Sequence, residues 1–122
     1  MKKIHLFLAL IAGLGLATTS SAQTPAKMTA VIKVPTVQCQ ECKDRIEKYM
    51  SHEDGIQKIN VDYKKKTCTV TWLTDRTNIE NIKALIANVG YDADDVTAEP
   101  DAYKRLPLCC KKPEDGGGHP KQ

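Results

Sequence analysis

The chain is short of aromatic residues. It has one Phe, one Trp and four Tyr in 122 positions, so a core has to be built from Ile, Val, Leu and Ala. It also lacks a decisive surplus of one charge. Lys and Arg number 18 against 15 Asp and Glu, and two of the lysines, Lys2 and Lys3, stand at the very start. A nucleic-acid partner needs a concentrated positive face, and this balance offers none. There is no internal repeat, no Gly-rich phosphate loop, no Ser–His pairing and no dyad of carboxylates for acid/base work, so the common motif-bearing enzyme classes receive no support. Long apolar runs are also missing. The single run, residues 6–17, is about a dozen residues, whereas a membrane-spanning helix needs roughly 20.

That run has another use. It follows the basic start Met1-Lys2-Lys3 and precedes Ser20-Ser21-Ala22, which puts small residues at the −3 and −1 positions of a cleavage site. A basic start, a short apolar centre and small residues are the pattern of a secretory leader. Residues 1–22 are therefore expected to be a signal peptide, and the mature protein a periplasmic one beginning at Gln23. No Cys follows the cleavage site, so no lipid anchor is expected. Removal of Lys2 and Lys3 would leave the mature chain near neutrality, and its length allows a single domain.

Five cysteines remain in the exported part, an odd number. A disulfide framework uses an even set, so at least one Cys is buried, free or held by something other than sulfur.

Residues 23–29 read as a lead-in. Regular structure is expected over 30–99. Ala30, Ile32 and Val34 alternate as a short strand. Cys42, Ile46, Tyr49 and Met50 recur on one face of a helix, with Gly55 as its stop. Ile59, Val61 and Tyr63, then Cys68, Val70 and Trp72, alternate on either side of Lys64-Lys65-Lys66. This is a hairpin with one covered face and a solvated, charged turn. Thr77 and Glu80 form a capping box for a second helix carrying Ile79, Ile82, Ile86 and Val89, closed by Gly90. Residues 96–98 read as a last strand. The order βαββαβ predicts an α+β, ferredoxin-like sandwich, with a four-stranded antiparallel sheet and two helices on one face. Residues 100–122 form a Cys-containing tail, with Tyr103 and Leu106 as packing residues.

The strongest chemical feature is Cys39-Gln40-Glu41-Cys42. The spacing places two sulfurs between a loop and the first turn of a helix, where both can face one atom. The positive helix end favours thiolate, the form that binds metal. Two thiolates suit soft ions, Cu(I) or Hg(II) first and Zn(II) as a further option. The same motif serves a dithiol-disulfide oxidoreductase, the competing reading, and an inert structural disulfide. No Trp or Pro flanks Cys39 in the manner of redox motifs, so the chain is expected to be a binding protein and not an enzyme.

Residues 34–42, Val-Pro-Thr-Val-Gln-Cys-Gln-Glu-Cys, resemble the metal loop of heavy-metal-associated domains. The hairpin around Val61-Asp62-Tyr63 and the segment Val89-Gly90-Tyr91-Asp92 resemble that family too. The resemblance covers about residues 30–99. It implies a metallochaperone or scavenger whose metal ligands are Cys39 and Cys42, with Tyr91 beside the metal. It also implies a membrane metal transporter or another metal-binding protein as partner. Val37 stands where the family's motif has Met. We expect a monomer.

Three cysteines lie outside that motif. Cys68, on the apolar face of its strand, reads as a buried hydrophobe. Cys109 and Cys110 read either as an incidental pair or as additional ligands. In the expected topology a fourth strand begins near Tyr91 and ends at the far pole. The ten steps from Glu99 to Cys109 across residues 100–108, which reach at most roughly 33–36 Å when extended, can still bring Cys109 and Cys110 back to Cys39 and Cys42. There they would act as extra thiolates, or as disulfide partners without metal. His119 is a weak candidate ligand, and His52 is expected on the surface.

Overall fold

The computed structural model describes residues 26–118. The expected leader, the first residues of the lead-in and His119 lie outside the described residues. Five main elements follow in order: β1 (Lys27–Lys33), α1 (Gln40–Met50), β2 (Ile56–Asp62), β3 (Thr67–Leu73) and α2 (Ile79–Val89). A short helix, α3 (Pro100–Lys104), and two 3-10 turns, Leu108–Cys110 and Pro113–Asp115, complete the chain. No helix among the described residues is long and apolar enough to cross a membrane.

The sheet is antiparallel with strand order β1-β3-β2. Cys68 pairs with Ile32 on one side and Val61 on the other. This register turns Ile32, Val61, Cys68, Val70 and Trp72 to one face, where they are buried together with Ile46, Met50, Ile82 and Ile86 of the two helices. Val31, on the opposite face, is 62% exposed. The alternation in the sequence therefore has the expected sense, with both helices covering one face. Tyr49 is the exception on α1. It is half-exposed, off the buried stripe of Cys42, Ile46 and Met50.

Several boundaries differ from the sequence reading. β1 begins at Lys27, because Lys27, Met28 and Thr29 pair with Leu73, Trp72 and Thr71, and the Thr29 and Thr71 hydroxyls meet at 2.8 Å. α1 ends at Met50, with Ser51 as cap, and Gly55 instead leads into β2. The α2 cap is Asn78 and not Thr77: the Asn78 side chain accepts from the Asn81 N–H at 2.9 Å.

The main difference is at the fourth strand. Among the described residues the sheet has three strands, and residues 96–98 do not pair along β1. What forms is a single bridge between Ala93 and Val96. Asp94 explains the early stop. Its carboxylate accepts from the Lys33 N–H at 2.7 Å, while its own N–H donates to the Lys33 carbonyl at 2.8 Å. That uses both groups of the residue at the end of β1. Lys83 of α2 holds this corner through Asp94 and Asp95, at 3.5 and 3.4 Å. The Asp92 carboxylate then accepts from the Ala98 N–H, and the Glu99 N–H donates to the Ala87 carbonyl. The chain is thus folded back onto the C-terminal end of α2 and never travels to the far pole.

α3 starts there, with Pro100 at its first turn and the Glu99 carboxylate accepting from the Ala102 N–H at 2.7 Å. It packs on Gly90, whose φ of 116° is left-handed. A Cβ on Gly90 would stand 3.1 Å from two Leu106 carbons and 3.2 Å from the Ala102 carbonyl carbon. Gly90 therefore closes α2 and also makes room for the tail. The tail is ordered around Tyr103, whose hydroxyl donates to Asp115 at 2.5 Å and accepts from the Lys112 N–H at 2.9 Å.

Candidate metal centre

The loop between β1 and α1 is built from its two ends. The Val34 N–H donates to the Lys66 carbonyl at 2.9 Å, and the Val37 N–H returns to the Val34 carbonyl. Val34 and Val37 are fully buried, so the residue at position 37 anchors the loop by its apolar side chain. The Lys66 ammonium donates to the Val37 carbonyl. Lys66 itself sits in the left-handed region at φ 59°. The sequence reading treated Lys64-Lys65-Lys66 as solvated turn charge. That describes Lys64 and Lys65, whose N–H groups cap on the Asp62 carboxylate, but not Lys66. No sequence signal separates the third lysine from the other two.

Cys39 is the N-cap of α1 and Cys42 lies in its first turn. Their sulfurs are 3.7 Å apart, and neither is in a disulfide. Both are covered: Cys39 is 4% exposed and Cys42 fully buried. The cover is the tail. The turn Leu108–Cys110 lies against α1, and the Sγ atoms of Cys39, Cys42 and Cys110 lie within 4.8 Å of one another. Cys110 is fully buried. Cys109, beside it, stays half-exposed. Its thiol donates to the Glu41 carboxylate at 3.0 Å, and its carbonyl faces the Cys39 sulfur at 3.8 Å. The tail reaches this point by a short path from α2, not by the long return from the far pole that a fourth strand would have required.

The electrostatics divide the thiols. Burial pushes the Cys42 thiol up, but the Cys110 thiol, the Gln38 N–H, the Tyr91 hydroxyl and the Cys39 backbone around its sulfur outweigh it, so Cys42 titrates below an ordinary thiol. The Gln38 N–H approaches its sulfur at 3.4 Å. Burial raises Cys110 well above its ordinary value, and donating to Cys42 reinforces the shift. Within the pair Cys42 is therefore the more acidic thiol and Cys110 the less acidic. Cys109 is raised to about 11 by its Glu41 partner and by burial.

Tyr91 is fully buried beneath this cluster. Its hydroxyl makes no hydrogen bond of conventional geometry. The groups facing it are the sulfurs of Cys42 and Cys110, and burial followed by these two contacts raises its pKa strongly. A sulfur is a weak acceptor as a thiol and a better one as a thiolate.

Residues 31–92 match the heavy-metal-associated domain model. This chain belongs to that family. It is 30% identical, over 73 residues, to the mercuric transport protein periplasmic component of Shewanella putrefaciens. The match covers 60% of this chain and 80% of that one. It is 29% identical over 85 residues to a copper-exporting P-type ATPase of Staphylococcus saprophyticus, covering 68% of this chain and 11% of the ATPase. The fold superposes on that of oxidized MerP from Ralstonia metallidurans CH34 with a TM-score of 0.54 and 25% identity, over 57% of this chain and 96% of MerP.

The heavy-metal-associated segment ends at residue 92. Cys39, Cys42, Cys68 and Tyr91 fall inside it. Cys109, Cys110 and the whole of α3 fall beyond it. Cys68 is distant in character from the other thiols: desolvation raises it to about 12, and it is fully buried in the sheet core. His52 is exposed, with Nδ1 donating to the Lys48 carbonyl at 2.7 Å. A second constellation, Glu41 with Cys109 and Cys110, also brings its ligand atoms within 4.8 Å of one another, and it opens toward solvent. Glu41 was not singled out in the sequence, where it is only one of the two residues between the paired cysteines.

Proposed function

We propose that this protein captures one soft metal ion between Cys39 and Cys42 outside the cytoplasm and passes it to another protein. The observation that carries the reading is the pair of free sulfurs 3.7 Å apart at the positive end of α1, in a chain of the heavy-metal-associated family. Thiolates at that position favour Cu(I) or Hg(II) over hard cations. The matched proteins are named for mercuric transport in the periplasm and for copper export, and the leader pattern in residues 1–22 agrees with the first. The metal is cargo. Thiolates of a membrane metal transporter or of a second metal-binding protein take it by replacing these sulfurs one at a time, with no bond of the protein broken.

Two measurements on the reduced protein test this. Native mass spectrometry of protein isolated from its own host, with no metal added, should show one copper or mercury ion per chain. An insulin-reduction assay should show no turnover. A metal-free chain that reduces insulin catalytically would replace this reading with that of a dithiol-disulfide oxidoreductase.

A further inference from the structure

We propose that the buried pocket is a three-thiolate site, in which the tail residue Cys110 supplies a third ligand to the ion held by Cys39 and Cys42, and that the site suits a soft divalent ion. The inference rests on the metal-binding reading of the Cys39–Cys42 pair and adds a coordination number to it.

The sulfur spacing is the first argument. With metal–sulfur bonds of about 2.3 Å, two thiolates in a line stand roughly 4.6 Å apart and three in a plane roughly 4.0 Å apart. Cys39 and Cys42 are 3.7 Å apart, and all three sulfurs fall within 4.8 Å of one another. The pair is too close for a linear bridge and fits an ion with more than two sulfurs, three in a plane or four in a tetrahedron at roughly 3.8 Å.

The placement of Cys110 is the second. A dangling tail does not bury its side chains completely, yet Cys110 is fully buried. Three features hold it there: the α3 contact with Gly90, the buried Leu106, and the turn in which the Cys110 N–H donates to the Pro107 carbonyl at 2.9 Å. The orphan hydroxyl of Tyr91 is the third. It faces Cys42 and Cys110 together. Metal binding would make a thiolate of each and so give the buried hydroxyl an acceptor.

A fourth thiolate is absent from this pocket among the described residues. Cys109 lies 4.0 Å from the Cys110 sulfur, but its own thiol is turned out to Glu41, and it does not join the cluster of Cys39, Cys42 and Cys110. Tyr91 stays a phenol. The donor set therefore suits an ion that accepts three sulfurs, and not a closed tetrahedral centre of four. Charge selects further. Three thiolates around a monovalent ion leave two negative charges in a buried pocket. A divalent ion leaves one, and buried uncompensated charge is costly. Binding forms three metal–sulfur bonds, the remaining S–H protons leave to solvent, and no electron is transferred.

The test loads the reduced protein, tail intact, with one equivalent of Hg(II) and counts sulfur neighbours by X-ray absorption at the mercury edge. Three sulfurs are expected in the wild type, two in Cys110→Ala and three in Cys109→Ala. In competition with a small dithiol, Cys110→Ala should bind at least about tenfold more weakly, the lower end of what losing a group that only orients a ligand costs a metal site. Two sulfurs in the wild type would overturn the proposal while leaving the Cys39–Cys42 reading intact. Four, falling to three in Cys109→Ala, would overturn it as well. A wild type that binds no Hg(II) would overturn this proposal, and one that binds neither Hg(II) nor Cu(I) would overturn both readings. If Cys110→Ala folds poorly, the wild-type and Cys109→Ala counts decide the matter together, and a fall from three to two in Cys109→Ala would overturn the proposal.

Discussion

Lys66 holds Val37 from across the fold. The lysine leaves the turn between β2 and β3, and its ammonium donates to the Val37 carbonyl two residues ahead of Cys39. The Lys66 carbonyl meanwhile accepts from Val34 at 2.9 Å, so one residue fixes both ends of the segment that leads into the cysteines. Lys66→Met keeps the apolar stem and removes the donor. We expect it to cost about 1–2 kcal/mol in chemical denaturation, the usual cost of leaving a partly buried carbonyl unmet. It should also speed metal release to a chelator. Unchanged stability and release would reduce Lys66 to the same solvated status as Lys64 and Lys65.

Gly90 joins the domain to its tail. Gly90→Ala puts a side chain into a left-handed backbone, at roughly 1–2 kcal/mol, and a Cβ against Leu106 at 3.1 Å. The tail should loosen more than the domain. Trypsin should cleave after Lys104 and Arg105 faster than in the wild type while circular dichroism changes little. Equal cleavage rates would show that Leu106 yields without releasing the tail.

Tyr91 separates packing from chemistry. Tyr91→Phe keeps the ring and removes a hydroxyl that has no conventional partner, so stability should stay within about 1 kcal/mol of wild type. Tyr91→Ala empties a fully buried site and should cost about 3–5 kcal/mol. If the hydroxyl supports the bound thiolates, Tyr91→Phe releases metal faster to a chelator at unchanged stability. Equal release rates would make Tyr91 core packing alone.

The βαββα order, the covered face of the hairpin and the Cys39–Cys42 pair were legible because each rests on a short-range period. Cys68, Val70 and Trp72 alternate in the sequence and are buried together in the structure. The fourth strand was misread because residues 96–98 carry little pattern and the deciding group is elsewhere. Asp94 occupies the end of β1 with its side chain, a long-range event that no local period records. The same event placed the tail. Once the strand fails to form, the chain stays at the end of α2 where the metal loop is, and Cys110 arrives by a shorter route than the one reasoned from topology. Lys66 was missed for a similar reason. Its role depends on which of three lysines points across the turn.

Cys68 should be the inert thiol. With its titration raised to about 12, the thiolate at pH 8 is about one part in ten thousand, and thiolate is the reactive form. Iodoacetamide should leave Cys68 unmodified in the folded, metal-free protein and modify it on unfolding, as peptide mapping would show. The sign of its pH effect follows. Burial raises the folded titration above the unfolded value near 9, so the buried thiol's contribution is complete below pH 9 and is lost as pH climbs toward 12. Cys68→Ala should flatten stability against pH in that window. Alkylation of folded protein at Cys68 would mean that the sheet core opens locally.

The central claim is that Cys39 and Cys42 hold the metal. The direct measurement is titration of reduced wild type and Cys39→Ser/Cys42→Ser with Cu(I) or Hg(II) against a competing chelator, with circular dichroism confirming that the variant is folded. The wild type should bind one equivalent in competition, and the folded double variant should bind none, since hydroxyls are hard, neutral ligands. Undiminished binding of one equivalent by the double variant would contradict the account and move the site to Glu41, Cys109 and Cys110.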